Sequence, residues 1–169
     1  LPPADLANLA AQFALGGIDI IKDDHGLANQ SFAPFYVRIQ QCAQAVERAN
    51  RETGYHCIYA PNISAPVDKI LEYARFAKNS GAGALMVSPG LIGFDTMRVL
   101  AEDDSIALPI INHPTFQGFL SSGRTIGFSH FVQYGQLARL AGSDACIFPN
   151  IGGRFAYTRE ECASIVVGT

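Results

Sequence analysis

The stretch Gly16-Gly17-Ile18-Asp19-Ile20-Ile21-Lys22-Asp23-Asp24-His25 decides how this chain is read. An apolar run bounded by glycines has the composition of a short buried strand. It leads into four ionisable residues with no spacer. A buried strand ends that way where its end opens onto something polar. In an α/β protein that place is the carboxyl end of the sheet, where ligands bind.

Outward from this stretch the chain alternates helix and strand. A helix over Ala4–Leu15 precedes it, with Leu6, Leu9, Ala10 and Phe13 on one face. A second helix is expected from about Ala33 to Glu52, with Phe35, Ile39, Cys42, Ala43 and Val46 inward, stopped at Gly54. His56–Ala60 reads as a strand ended by Pro61-Asn62. Ser64 is a candidate cap for a helix over Ala65–Asn79, with Val67, Ile70, Leu71 and Ala74 inward. The next strand, Ala84–Val87, ends in Ser88-Pro89-Gly90, and a helix covers Gly93–Glu102. Leu108–Asn112 is a strand closed by His113-Pro114. A Gly/Ser loop over Gly118–Gly127 leads to a helix over Ser129–Ala141. Asp144–Phe148 is the last strand, and a final helix starts near Thr158, with Glu160 and Glu161 suiting its dipole.

Nearly every strand residue is apolar, as in strands covered on both faces. Strand starts lie roughly 25 to 40 residues apart with no hairpin signal, which reads as parallel β/α units. The fold class is therefore α/β. Parallel strands would put all five terminal clusters on one rim, as in a (β/α)8 barrel, and about five strands of the eight would be present. Leu1 is not an initiator methionine, so the chain reads as a piece of a longer one. Pro2, Pro3 and Asp5 do not form the basic head of a signal peptide.

Bulk composition excludes several functions. The 169 residues are 49% hydrophobic and 16% charged, with a net charge of -3. There is no basic field for nucleic acid, and no apolar run approaches the roughly 20 residues of a membrane span. Cys42, Cys57, Cys146 and Cys162 form no CxxC pair, and are expected as reduced thiols in a cytoplasmic protein.

Alternation puts Lys22 and Asp24 on the same side of the strand end, with His25 starting the loop. Lys22 can form an ion pair or carry a proton. It can also take up carbon dioxide as a carbamate, which with Asp24 offers two hard oxygen donors to Mg²⁺; His25 is a possible third ligand. His113 places an imidazole at another strand end, able to act as acid, base or hydrogen-bond donor. Gly152-Gly153-Arg154 is a short glycine loop from which Arg154 can reach a phosphate or an oxyanion. Asn62 and Asn150 end strands after prolines and can orient ligands or waters. His56 and His130 are expected to be structural.

The run from Gly16 to Asp24 resembles the strand-end signature Gly-Gly-x-Asp-x-x-Lys-x-Asp-Glu of the RuBisCO large-chain superfamily, and the likeness extends over the whole chain. The resemblance implies a carbamylated Lys22 that binds Mg²⁺ with Asp24 and the residue at His25. It implies a catalytic role for Lys22 and His113, and substrate contacts from Asn62, Gly153 and Arg154, the last two in a loop that closes over substrate. His25 replaces a glutamate of that signature. Asn112-His113-Pro114 lacks the following arginine of carboxylases, Gln117 stands for a second histidine, and Arg154 stands for the loop lysine. These departures make the chain most like the RuBisCO-like (form IV) proteins. The implied activity is metal-assisted enolisation or isomerisation of a phosphorylated ketose-type substrate. The alternatives are carboxylation of ribulose bisphosphate and an inactive binding or regulatory relative. The resemblance also implies that residues 1–169 are a fragment of the barrel domain, without the amino-terminal domain and the last strands, from a homodimer or larger homo-oligomer. The isolated fragment is then expected to be inactive.

Overall fold

A computed structural model describes residues 1–121, 123, 125–155 and 157–167. It divides into two compact units, Leu1–Met86 with Ser105–Leu108, and Val87–Asp104 with Pro109–Thr169.

The first unit begins with α1 (Pro3–Leu15), β1 (Ile20–Lys22), α2 (Phe35–Thr53), β2 (Ile58–Ala60) and α3 (Ile70–Asn79). β1 and β2 are parallel, with Ile20 beside Ile58 and Lys22 beside Ala60. Asn62 then bridges to Met86 in parallel sense. Helix α2 carries the core: Phe35, Ile39, Cys42, Ala43 and Val46 are all buried, as their spacing requires. Arg38 lies on the same buried face. Phe35 stacks on Tyr73 of α3 at 3.8 Å between ring centroids.

Two elements differ from the sequence expectation. Helix α1 packs on α2 through Ala7, Ala10 and Ala14, while Leu9 and Phe13 are 38% and 53% exposed. The alanines are the buried residues of α1, and their small side chains let it lie close against α2. Helix α3 starts at Ile70 rather than Ala65. Ala65 precedes Pro66, which disfavours helical geometry there, and a turn closed by Lys69 N to Pro66 O comes first. Val67 is left exposed. Strand β1 is also less covered than expected: Ile18 and Ile20 are exposed, because β1 pairs only with β2 among the described residues.

The second unit contains Val87, the last residue of β3 (Leu85–Val87), then α4 (Pro89–Ile92), α5 (Phe94–Ala101) and β4 (Ile110–Asn112). A 3-10 turn (Gly118–Leu120) follows, then a π-helix (Phe131–Leu137) running into α6 (Ala138–Leu140), β5 (Ala145–Cys146) and α7 (Arg159–Val167). Ser122 and Arg124 of the expected Gly118–Gly127 loop lie outside the described residues. His113 N bonds Val87 O, and β4 pairs in parallel with β5, Asn112 beside Cys146. The helix expected over Ser129–Ala141 exists but is wound wide, which buries Gln133, Tyr134 and Gly135 in succession. Thr158 and Glu161 cap α7 reciprocally: Glu161 N donates to Thr158 Oγ1 and Thr158 N to Glu161 Oε2. Among the described residues no helix is long and apolar enough to cross a membrane.

Burial pushes the Cys42 thiol up to about 11 and the Cys146 thiol up to about 12. Both pKa values are raised on folding, so the native state holds protons that the unfolded chain releases above roughly pH 8.5. Their stabilising contribution is complete below that pH and is lost as pH climbs through the folded values. The urea midpoint should therefore fall between pH 8 and pH 11. Neither thiol should react with iodoacetamide at pH 8, read by peptide mass; alkylation of Cys42 in the native state would contradict its placement.

Candidate functional site

At the end of β1 the three carboxyl-terminal ionisable residues separate by alternation. Lys22 and Asp24 are exposed and Asp23 is buried. The Asp23 carboxylate accepts from three donors: Arg38 Nε to Oδ2 at 3.0 Å, Asn62 N to Oδ2 at 3.1 Å, and Tyr59 hydroxyl to Oδ1 at 2.8 Å. Burial pushes the Asp23 carboxyl up, and Arg38 foremost, then Tyr59 and Asn62, pull against it. The Tyr59 hydroxyl is pushed well up, first by burial and next by Asp23. Locking Asp23 inward leaves its two neighbours on the open side.

On that side, Lys22 Nζ donates to the Asp23 carbonyl at 3.2 Å. Asp24 Oδ1 accepts from Gly26 N at 2.8 Å, which fixes the turn into the loop. Asp24 Oδ2 is 3.9 Å from His25 Nδ1. Asn62, expected to contact substrate, is fully buried. Its Nδ2 donates to His25 O at 2.9 Å, and its Oδ1 accepts from Ser64 N at 3.0 Å. Asn62 thus braces the main chain of His25, and Ser64 belongs to this brace rather than to a helix cap.

Among the described residues no group of three His, Cys, Asp or Glu side chains is placed to hold a metal ion. The donors that could serve are Asp24 and His25, with Lys22 only as its carbamate. Carbamate and carboxylate oxygens are a hard set that suits Mg²⁺, which keeps several waters and needs few protein ligands. The donor chemistry fits a hard divalent cation once Lys22 is carbamylated, with His25 the least typical member.

In the second unit, β4 ends at Asn112 and presents His113. Thr115 N donates to His113 Nδ1 at 3.2 Å, and the Thr115 hydroxyl is 2.6 Å from the same nitrogen. A backbone N–H can only donate, so Nδ1 is the acceptor and the neutral ring carries its proton on Nε2. His113 is thereby held as an Nε2–H donor. The turn that supplies Thr115 packs tightly on Gly90, where an added Cβ would lie 2.5 Å from Thr115 O.

Gln117, the residue standing for a second histidine, is fully buried and faces inward. Its side-chain amide donates to Asn112 Oδ1 at 3.1 Å and His113 O at 3.2 Å, and its main-chain carbonyl accepts from Gln133 Nε2 of the π-helix at 2.9 Å. Asn112 Nδ2 reaches Cys146 Sγ at 3.3 Å. A buried polar chain therefore anchors the main chain of His113.

The glycine loop is exposed from Ile151 to Phe155. Gly152 has φ 69°, and Gly153 N bonds Asn150 O at 3.3 Å. A Cβ on Gly153 would lie 2.8 Å from Asn150 Oδ1 and 3.2 Å from Asn150 O, so a side chain there would have to displace the Asn150 amide. Arg154 rests over the Phe155 ring at 5.6 Å. His56 is exposed outside the sheet. His130 lies 3.4 Å from Glu161 and packs on Tyr157 at 4.3 Å, a structural setting.

The first unit thus brings together Lys22, Asp24, His25 and Asn62, and the second holds His113, Gly153 and Arg154. Sequence reasoning missed Asp23, Arg38, Tyr59 and Gln133. Two of these had a signal. Alternation places Asp23 opposite Lys22 and Asp24, and Arg38 falls at the inward helical position between Phe35 and Cys42.

Residues 1–162 match the family model described as ribulose bisphosphate carboxylase large chain, catalytic domain. The chain is 40% identical over 165 residues to the 5-methylthioribulose-1-phosphate isomerase of Rhodospirillum rubrum, covering 98% of this chain and 42% of the relative. It is 37% identical over 162 residues to the 2,3-diketo-5-methylthiopentyl-1-phosphate enolase of Bacillus velezensis, covering 96% and 40% respectively. A crystal structure of a Rubisco-like protein from Rhodopseudomonas palustris superposes with a TM-score of 0.90 at 39% identity, over 98% of this chain and 45% of that one. The chain spans about two-fifths of the length of these curated relatives. The likeness carries the fold class read from the sequence, parallel β/α units of a partial (β/α)8 barrel.

Proposed function

Because the chain belongs to the ribulose bisphosphate carboxylase large-chain catalytic-domain family, we propose that it is a section of a RuBisCO-like enzyme that enolises or isomerises a phosphorylated ketose-type substrate. One observation carries the reading. Lys22 and Asp24 stand exposed on one side of a strand end whose intervening Asp23 is locked into the core. That turns both side chains to the open side of the strand end, where a ligand can reach them, while the buried carboxylate is satisfied by its own three donors. The isomerase and enolase names of the relatives support the same reaction class.

Lys22, as its carbamate, and Asp24 would hold Mg²⁺, with His25 beside them. The cation, when bound, would offset the negative charge that develops on the substrate oxygens. A carbamate oxygen on Lys22 would accept the proton next to the carbonyl. His113, with its proton on Nε2, donates a hydrogen bond to a substrate oxygen. Asn62 holds the His25 main chain, and Gly153 and Arg154 bind the phosphorylated end of the substrate, where a guanidinium suits phosphate geometry. The parent is a cytoplasmic homodimer or larger homo-oligomer, and residues 1–169 are a fragment of its barrel domain that turns over nothing alone.

The test compares two assays on the full-length polypeptide in Mg²⁺ and bicarbonate. Conversion of 5-methylthioribulose 1-phosphate, or of the diketo substrate named for the enolases, is expected. Fixation of labelled carbon dioxide onto ribulose bisphosphate is not, because the carboxylase groups at Gln117 and Arg154 are changed. Fixation without isomerisation would establish a carboxylase instead. A second reading, an inactive relative with a binding role, is favoured by His25, which stands where the resemblance expects a carboxylate ligand; failure of both assays would support it.

A further inference from the structure

The Asp23–Arg38 pair has no part in the chemistry above, yet it is deeply enclosed: Arg38 is fully buried and Asp23 is 7% exposed. A buried ion pair is seldom a net source of stability compared with apolar residues of similar size. Its geometry gives it another use. The Arg38 guanidinium bonds four acceptors on three segments: Asp23 Oδ2 at 3.0 Å, Ala28 O at 3.0 Å, Ala33 O at 3.1 Å and Asn62 O at 3.4 Å. These are the strand end, the loop that follows it, and the end of β2. The remaining Asp23 oxygen is held by Tyr59, and Asn62 closes the circuit by holding His25 O. Asp24 and His25 lie between the points so fixed, and Lys22 immediately precedes the first of them, paired with Ala60 of β2. Their main chain is anchored at Asp23, at His25, and at Ala28 and Ala33 farther along the loop, all through one cation or through the residues it touches.

We propose that Arg38 and Asp23 are positioning residues that fix the mutual placement of Lys22, Asp24 and His25 for a hard divalent cation. This rests on the reading that the strand end takes such a cation. A lysine at position 38 keeps the charge but has one nitrogen, so it can satisfy Asp23 and not the two loop carbonyls as well. A purely structural pair would affect stability alone, and any core change of equal cost would then do the same to the site.

The experiment measures Mn²⁺ affinity, from the free-ion spin-resonance signal, for the full-length polypeptide in bicarbonate. Wild type is compared with Arg38→Lys and with Ile39→Val, the buried neighbour on the same helix. Amide exchange over residues 22–33 is followed in parallel. Arg38→Lys should weaken binding roughly 10–100-fold and speed exchange in that segment. Ile39→Val should lower stability and leave affinity within about twofold, as a cavity-forming change that removes no hydrogen bond of the polar circuit does. Tyr59→Phe, which removes one hydroxyl and keeps the ring, covers the case in which Arg38→Lys does not fold. It should weaken binding by a smaller factor than the lysine variant. A folded Arg38→Lys or Tyr59→Phe protein with wild-type affinity would overturn the proposal, as would an equal loss in Ile39→Val. Absence of Mn²⁺ binding in wild type itself would instead remove the cation reading, and the positioning role with it.

Discussion

Replacing Lys22 with methionine should lower the rate of enolisation by roughly 10²–10⁴-fold, the usual contribution of a positioned proton carrier, and abolish cation uptake. The Lys22 side chain is exposed and, among the described residues, donates to the neighbouring Asp23 carbonyl, while its main chain stays in the strand pairing whatever the side chain, so the fold should be unaffected. Methionine keeps the length and apolar stem of the side chain and removes both the nitrogen that reacts with carbon dioxide and the proton acceptor. Steady-state kinetics of the full-length polypeptide, with circular dichroism as a control, provide the check. A variant that retains more than about a tenth of the wild-type rate would place the proton transfer elsewhere.

Arg38→Met is expected to act in the opposite way, on stability first. Removing one member of a buried ion pair leaves the other charged and unpaired, which costs roughly 3–5 kcal/mol. The substitution also strips Ala28 O and Ala33 O of their bonds to Arg38. Chemical denaturation should show a shift of that size. The double variant Arg38→Met, Asp23→Leu should recover much of the loss, because it leaves no orphaned charge. Recovery of stability without recovery of cation binding would match the positioning role of the pair. A single variant as stable as wild type would mean that Asp23 does not carry its charge in the folded protein.

The element order was legible because strands and helices have different periods and each strand stops at a polar or turn-forming cluster. The inward face of α2 followed from spacing alone. The same spacing also marks Arg38, but a charged residue is so rarely buried that it reads as surface; only the presence of Asp23 across from it makes the burial affordable. Helix α1 was misread for a related reason. Leu9 and Phe13 are among its most apolar residues, yet the buried positions are Ala7, Ala10 and Ala14, of which Ala10 alone lies on the expected face. No pattern in α1 itself reveals what faces it. The later start of α3 has a signal in the sequence, since Pro66 disfavours helical geometry at Ala65. The π-winding of residues 131–137 and the chain Gln133–Gln117–His113 are tertiary: they join a helix to a loop with no shared period.

At the candidate site, the exposed pair Lys22 and Asp24 and the strand-end histidine were visible as residue types in suggestive places. What sequence could not supply was the division of labour among neighbours. Asp23 differs from Asp24 only by the face it occupies, and that difference makes one a core anchor and the other a candidate ligand. Asn62 reads as a site residue and follows a strand end, and Gln117 stands for a second histidine of the resembled family, but the amides of both are turned onto the main chain of His25 and His113. Both histidines are therefore held by buried amides, Asn62 in one unit and Gln117 in the other.

The central claim is proton abstraction next to a carbonyl that depends on Lys22. The most direct measurement is deuterium incorporation from heavy water, followed by proton NMR, into 5-methylthioribulose 1-phosphate or the diketo phosphate, using the full-length polypeptide with Mg²⁺ and bicarbonate. Exchange at the carbon beside the carbonyl, lost in Lys22→Met, is the predicted result. No exchange into either substrate, or exchange that persists in Lys22→Met, would contradict it.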